Sequence, residues 1–249
     1  MASNRPFVGV ATPQANPTVE IETRALLDGY AIPLATRLTS AENTPADRLL
    51  AYLEQIDAAI RSFDTLPLAA FAFACTGSSY LAGAKREAAL VHAAENRFGI
   101  PVVTATAAIA EELALRNASR IAILAPYPEA LIEASVEYWR AAGFEVVRCQ
   151  RIDVGDDTRG IYSLTDSEVA AAIENYAPGD VDMLLMSGTG MPTMAALRSA
   201  MQPMLSSNLC LSAAVLRRAG LWPADEAIDL ELLTACLLYT SDAADDAMN

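Results

Sequence analysis

The sequence is poor in side chains that bind metals. Its 249 residues include one histidine, His92, and four cysteines, Cys75, Cys149, Cys210 and Cys236, none paired as C-x-x-C. A zinc site needs about four nitrogen or sulfur ligands at clustered spacing, so no metal is expected. Basic residues are also scarce: 17 Lys and Arg stand against 31 Asp and Glu, for a formal net charge of −14. Phosphate-backbone binding needs clustered Lys and Arg, which argues against a nucleic-acid partner. It leaves room for a small anion held at one local site. No apolar run reaches the roughly 18 residues of a membrane span. The opening "MASNRPFVGVATP" lacks the basic-then-apolar layout of a secretory leader and runs straight into a strand. The expectation is a cytoplasmic chain without a membrane partner, whose cysteines are small hydrophobes or reactive thiols rather than disulfides. Nucleotide motifs are missing as well. Gly83-Ala84-Lys85 lacks the ending of a Walker loop, and no G-x-G-x-x-G follows a strand.

What the sequence has is apolar residues, 53% of the total, arranged in runs of strand length separated by helix-periodic segments. The runs at 7–12, 31–37, 68–74, 101–105, 120–125, 145–152, 182–187 and 203–207 are mostly apolar throughout, as in parallel strands buried on both faces. Between them, "TPADRLLAYLEQIDAAIRSF" has Thr44 as an N-cap, Pro45 at the first helical position and Asp47 in the first turn. Its apolar face is Leu49, Leu53, Ile56, Ile60 and Phe63. Thr165 and Glu168 are spaced as a capping box. Further helices are expected over 78–96, 105–115, 128–142, 192–200 and 208–218. Strand–helix alternation of this kind means an α/β fold with parallel sheets.

The chain also repeats itself. "VGVATPQANPTVE" (8–20) aligns with "IAILAPYPEALIE" (121–133), placing Pro13 on Pro126, an offset of 126 − 13 = 113. The same offset carries Cys75 to Gly188, so that "ACTGSSYLA" meets "SGTGMPTMA". Two similar α/β halves follow, over about 1–115 and 116–225, facing each other across a cleft. Ligands in open α/β sheets sit beyond the carboxyl ends of the strands, and both loops belong there. The closing "LLYTSDAADDAMN" (237–249) breaks the pattern and resembles translated adaptor read-through. Without its three aspartates the net charge is still −14 + 3 = −11. Cys236 beside it is given no role.

Cys75 is the first candidate. Taken alone, a cysteine closing an apolar run is most often a buried packing residue. The mirrored loop shifts the balance toward chemistry, because a helix N-terminus favours a thiolate and Thr76, Gly77, Ser78 and Ser79 follow with hydroxyls and a flexible backbone. The loop at Gly188 and Thr189 offers backbone N–H groups to an anion, or merely turns the chain. Asn16, in a turn after Pro13, can donate and accept hydrogen bonds, or simply form the turn. Tyr127 occupies the matching turn of the second half, where a partly buried aromatic is the plain alternative. His92 falls mid-helix and reads as structural; Cys149 and Cys210 read as packing.

These residues together resemble the aspartate/glutamate racemase superfamily. "GVATPQANPTVE", "FACTGSS", "APY" and "SGTGMPT" look most like its maleate cis-trans isomerase and arylmalonate decarboxylase branch. The resemblance covers the chain to about residue 220. It implies two flavodoxin-like halves related by a pseudo-two-fold, an active site between them, no cofactor or metal, and a small dicarboxylate substrate; a homo-oligomer is compatible with it. It assigns Cys75 as the catalytic cysteine, with Pro13, Asn16, Thr76, Gly77, Ser78, Tyr127, Gly188 and Thr189 holding the substrate. The second cysteine of the superfamily is absent, since Gly188 stands there, so two-base racemisation is not expected. One cysteine suits an isomerase that adds to a cis double bond, or a decarboxylase in which Cys75 protonates an enediolate. The decarboxylases of the branch resemble the reverse arrangement, with the cysteine in the second loop, which predicts the opposite product enantiomer here. A small-acid binding module without turnover is the alternative of another class.

Overall fold

A computed structural model describes residues 5–176 and 179–229. The tail at 237–249 and Cys236 lie outside the described residues. Eight strands form two four-stranded parallel sheets. The first contains β1 (Phe7–Pro13), β2 (Ile32–Leu38), β3 (Leu68–Phe73) and β4 (Val102–Thr104), in the order β2-β1-β3-β4. The second contains β5 (Arg120–Ala125), β6 (Glu145–Arg151), β7 (Met183–Met186) and β8 (Met204–Ser206), in the order β6-β5-β7-β8. The orders are the same, and so is the spacing. From β1 to β5 the offset is 120 − 7 = 113 and from β2 to β6 it is 145 − 32 = 113.

Every strand expected from the sequence is present, within a residue or two at each end. The reason is burial on both faces. Central strands β1, β3, β5 and β7 are almost wholly buried, so each is written as an unbroken apolar run. Edge strands β2 and β6 are half-exposed and carry polar residues such as Arg37 and Arg148. In each sheet the chain direction across the sheet reverses between the two central strands. This is the switch point at which open α/β sheets leave a crevice.

The helices agree less closely. Helix α1 (Thr18–Leu26) has no counterpart among the expected segments. The segment after Thr44 forms two helices, α2 (Pro45–Leu53) and α3 (Ile56–Arg61), rather than one. Its apolar face is as expected: Leu49, Leu53, Ile56 and Ile60 are buried, and Phe63 meets Phe71 edge-on at 6.3 Å. The segment expected at 78–96 starts earlier and breaks into α4 (Thr76–Ala82) and α5 (Ala84–Phe98). The break is Gly83, whose φ of +77° is outside the helical region. Then follow α6 (Ala105–Leu115), α7 (Glu129–Ala141), a 3-10 helix at Thr158–Ser163, α8 (Asp166–Glu174), α9 (Met194–Arg198) and α10 (Ser207–Arg218). The Thr165–Glu168 capping box is formed at the start of α8. Among the described residues no helix is long and apolar enough to cross a membrane.

The two halves are joined by the pair α6 and α10, which follow the corresponding strands β4 and β8. All residues from Ser207 to Arg217 are buried. Helix α10 packs along α6 and α1 and reaches β3 and β4 of the other half.

Candidate active site

Loops after the four central strands converge on one cavity of about 40 Å³. The β1 end contributes Pro13, Ala15 and Asn16, and the β3 end contributes Cys75, Thr76 and Gly77. The second half contributes Tyr127 after β5 and Thr189 and Gly190 after β7. The structure thus brings together seven of the nine residues singled out from the sequence. Ser78 and Gly188 stand one layer back.

Cys75 is the N-cap residue of α4, only 5% exposed. Burial pushes its thiol above the ordinary thiol range. Bonds from the Ser78 hydroxyl and from the N–H groups of Ser78 and Gly77 pull the other way without overcoming it. The thiolate expected from the helix N-terminus is therefore opposed by desolvation. Ser78 is fully buried. Its hydroxyl lies 3.2 Å from Cys75 Sγ and 2.6 Å from the Leu49 carbonyl, so it serves the thiol and not the ligand space.

Thr76 and Tyr127 come from opposite halves and bond at 2.6 Å between hydroxyls. Behind them runs a chain of polar groups. Tyr127 OH is 3.5 Å from Ser187 Oγ, Ser187 Oγ is 2.7 Å from Tyr80 OH, and Trp139 Nε1 donates to Tyr80 OH at 3.1 Å. Indole N–H only donates, so Tyr80 accepts there and is free to donate to Ser187. The same direction carried through Ser187 and Tyr127 leaves the Thr76 hydrogen for an oxygen in the cavity. Burial raises the Tyr127 phenol and keeps it a neutral donor.

Asn16 is 1% exposed. Its Oδ1 accepts from the N–H groups of Thr18 and Val19, capping α1, while Nδ2 donates to Thr189 Oγ1 at 3.3 Å. Thr189 in turn donates to the Ala74 carbonyl at 3.0 Å. Its hydroxyl hydrogen is thus used between the halves, contrary to its expected place as a substrate donor. The N–H groups of Thr189 and Gly190 donate to no acceptor among the described residues and can take an anion.

Gly188 has φ +137°, and its N–H donates to Ser207 Oγ. A Cβ built there would lie 2.9 Å from Ile161 and 3.4 Å from the Tyr127 hydroxyl. A side chain at the position matching Cys75 would have to displace the Ile161 side chain and adopt a backbone conformation that L residues rarely take.

Two arginines and two tyrosines of the lining escaped sequence reasoning. Arg48 and Tyr52 come from α2, and Arg159 and Tyr162 from the 3-10 helix. Arg48 donates to Asp157 across 109 residues of chain, at 2.9 Å, and Arg159 grips both oxygens of the same carboxylate. The Arg159 contacts hold Asp157 down at about 2. Tyr52 and Tyr162 both lie within electrostatic reach of Cys75. One signal was available: Arg48 sits a turn before Tyr52 on the buried side of an amphipathic helix, where a charge is costly without a partner.

Of the remaining candidates, His92 is exposed on α5 beside Asn96, away from the cavity. Cys210 is buried in α10, and Cys149 lies half-buried in β6 with its thiol raised to about 11. Among the described residues no cluster of three or more His, Cys, Asp or Glu is placed to hold a metal.

Residues 8–236 match the family model described as arylmalonate decarboxylase. A maleate isomerase of Pseudomonas putida is 28% identical over 161 residues, 60% of this chain and 64% of that enzyme, a little under two thirds of its length. A maleate isomerase of Nocardia farcinica is 24% identical over 227 residues, 86% of this chain and 90% of that enzyme. The fold is shared with a cysteine-to-serine variant of the Nocardia farcinica maleate cis-trans isomerase that carries a covalently bound succinylcysteine intermediate. The TM-score is 0.78 at 23% identity, covering 88% of this chain and 94% of that one.

Proposed function

This chain belongs to the arylmalonate decarboxylase family, and we propose that it is a cofactor-independent isomerase of small cis-unsaturated dicarboxylates, with Cys75 as nucleophile. The observation that carries the reading is the Cys75 thiol at the start of α4, in a cavity lined by hydroxyl and amide donors from both halves, with glycine at the matching position of the second half and no second thiol lining the cavity among the described residues. Once deprotonated to solvent, Cys75 Sγ bonds to one alkene carbon. The π pair moves to the neighbouring carbon and into its carboxylate, where Thr76, its hydroxyl polarised by Tyr127 behind it, and the amides of Thr189 and Gly190 stabilise the enediolate oxygens. The former double bond rotates, the pair returns, the C–S bond breaks, and the trans acid leaves. No proton carrier on the second face is required. The succinylcysteine of the Nocardia farcinica enzyme supports covalent chemistry of this kind.

A second reading draws on the raised Cys75 thiol. A thiol kept protonated suits a general acid that delivers its proton to an enediolate after a malonate loses carbon dioxide. Incubation with maleate and with phenylmalonate in deuterated water, followed by NMR, separates the two. Fumarate from maleate is the expected result, and Cys75→Ser is expected to lower the rate at least about 10³-fold. Deuterated phenylacetate with no fumarate overturns the isomerase in favour of the decarboxylase. Unimpaired turnover by Cys75→Ala overturns the role of Cys75.

A further inference from the structure

One wall of the cavity is cationic in a chain of net charge −14. Arg48 and Arg159 both line it, and Asp157 is the one carboxylate between them. Two guanidiniums against one carboxylate leave an excess positive charge. The Arg48 side chain is 6% exposed and has one hydrogen bond among the described residues, from one terminal nitrogen to Asp157. A guanidinium has five N–H donors, so most of those of Arg48 are unspent in a place poor in water. Arg159 takes three bonds to the side chain of Asp157 besides one from its own backbone N–H. It thereby fixes the carboxylate that aims Arg48. Tyr52 adds an independent sign. It is 4% exposed, it lines the same cavity, and its hydroxyl has no hydrogen-bond partner among the described residues. The two side chains are one turn apart on α2 and line the cavity, so a hydroxyl and a guanidinium with unspent donors meet there without an acceptor among the described residues.

We infer that Arg48, with Tyr52 beside it and Asp157–Arg159 behind it, binds a second, remote carboxylate of the substrate and so restricts the site to short-chain dianions. The inference rests on the proposed function, since it assigns the end of the substrate that Thr76 and the β7 loop do not hold. Arg48 is a specificity-determining residue in this arrangement, and Asp157 positions it. A substrate with an apolar group at that end leaves the Arg48 donors unmet and is disfavoured for that reason.

The test compares binding of succinate and butyrate, a dianion and a monoanion of equal chain length that do not turn over, by calorimetry on the full chain. Succinate is expected to bind at least tenfold tighter than butyrate. Arg48→Gln is expected to remove most of that ratio while changing butyrate affinity less than twofold, and Arg48→Lys to restore part of it. Arg159→Gln alters an exposed side chain, keeps the fold testable if Arg48→Gln does not fold, and is expected to reduce the ratio several-fold. A ratio near one in the unaltered chain, or a ratio unchanged in Arg48→Lys and Arg159→Gln alike, overturns the subsite. Maleate turnover with a ratio near one overturns the subsite alone. No turnover of maleate with the ratio intact overturns the isomerase alone.

Discussion

Glu22 is the most deeply placed carboxylate behind the site, 2% exposed on α1. It accepts bonds from the backbone of Thr193 and Met194, from the Thr193 hydroxyl and from Asn208 Nδ2. Asn208 Nδ2 also donates to the Thr189 carbonyl, so Glu22 pins the β7 loop to the first half. Burial pushes the Glu22 carboxyl above its ordinary range, and the bonds from Asn208 and Thr193 recover only part of that. A carboxyl raised on folding holds its proton longer in the native state. Its contribution to stability is therefore full below the unfolded value and lost as pH rises through the folded one. Glu22→Gln removes that titration. Urea unfolding from pH 5 to pH 8 is expected to show the variant gaining on the parent as pH rises; parallel curves would refute the assignment. Residues of this kind were illegible in the sequence. Cys75, Asn16 and Tyr127 stood out because they follow strands in two mirrored loops. Arg48 and Glu22 sit on helices, and only tertiary packing brings them to partners more than 100 positions away; Arg159 pairs locally with Asp157, and packing carries that pair to the cavity.

At the scale of elements, the β7 loop decides what chemistry the cleft admits. Gly188 holds a backbone conformation that side chains rarely adopt, with Ile161 and Tyr127 already against it. Gly188→Ala is expected to cost roughly 1–3 kcal/mol of stability, measurable as a lower urea midpoint. Gly188→Cys is expected to show the same loss and no racemisation of amino acids, checked by chiral chromatography. A stable Gly188→Cys enzyme that exchanges the α-proton on both faces would sink this account. Strands were readable because each buried parallel strand is a continuous apolar run. Helix limits were not. Helix α1 begins at a proline turn capped by Asn16, and its sequence mixes charged and apolar residues without a clear stripe. The break between α2 and α3 has no Gly or Pro to announce it. The 3-10 helix that carries Arg159 is too short to show a period.

Across the whole molecule the halves are fastened by a buried ionic cluster. The Arg217 side chain, 1% exposed, bonds Glu111 at 2.5 Å and Glu112 at 2.9 Å, and Glu112 is fully buried and also holds Arg116. Removing one member of such a cluster leaves a buried charge without its partner. Arg217→Ala is expected to destabilise the protein by about 3–5 kcal/mol, read from denaturant unfolding by circular dichroism. The loss is expected in one transition, because α10 packs on β3 and β4 of the first half as well as on β8 of its own. Two separate transitions would show that each half stands alone. The repeat itself was legible, since the 113-residue spacing is kept by the starts of β1 and β5 and of β2 and β6, and by the ends of β3 and β7. The crossing of α10 onto the first half was not, because a repeat in sequence does not say which half covers which.

That crossing bears on how the chain is made. Helix α10 covers β3 and β4, yet it is among the last of the described elements to leave the ribosome. Until Arg218 has emerged, the first sheet waits with an apolar face uncovered, in the state most exposed to aggregation and most in need of a chaperone. Duplication of a half has given this protein a late-arriving keystone, so its synthesis is an all-or-nothing event even though its architecture is built twice.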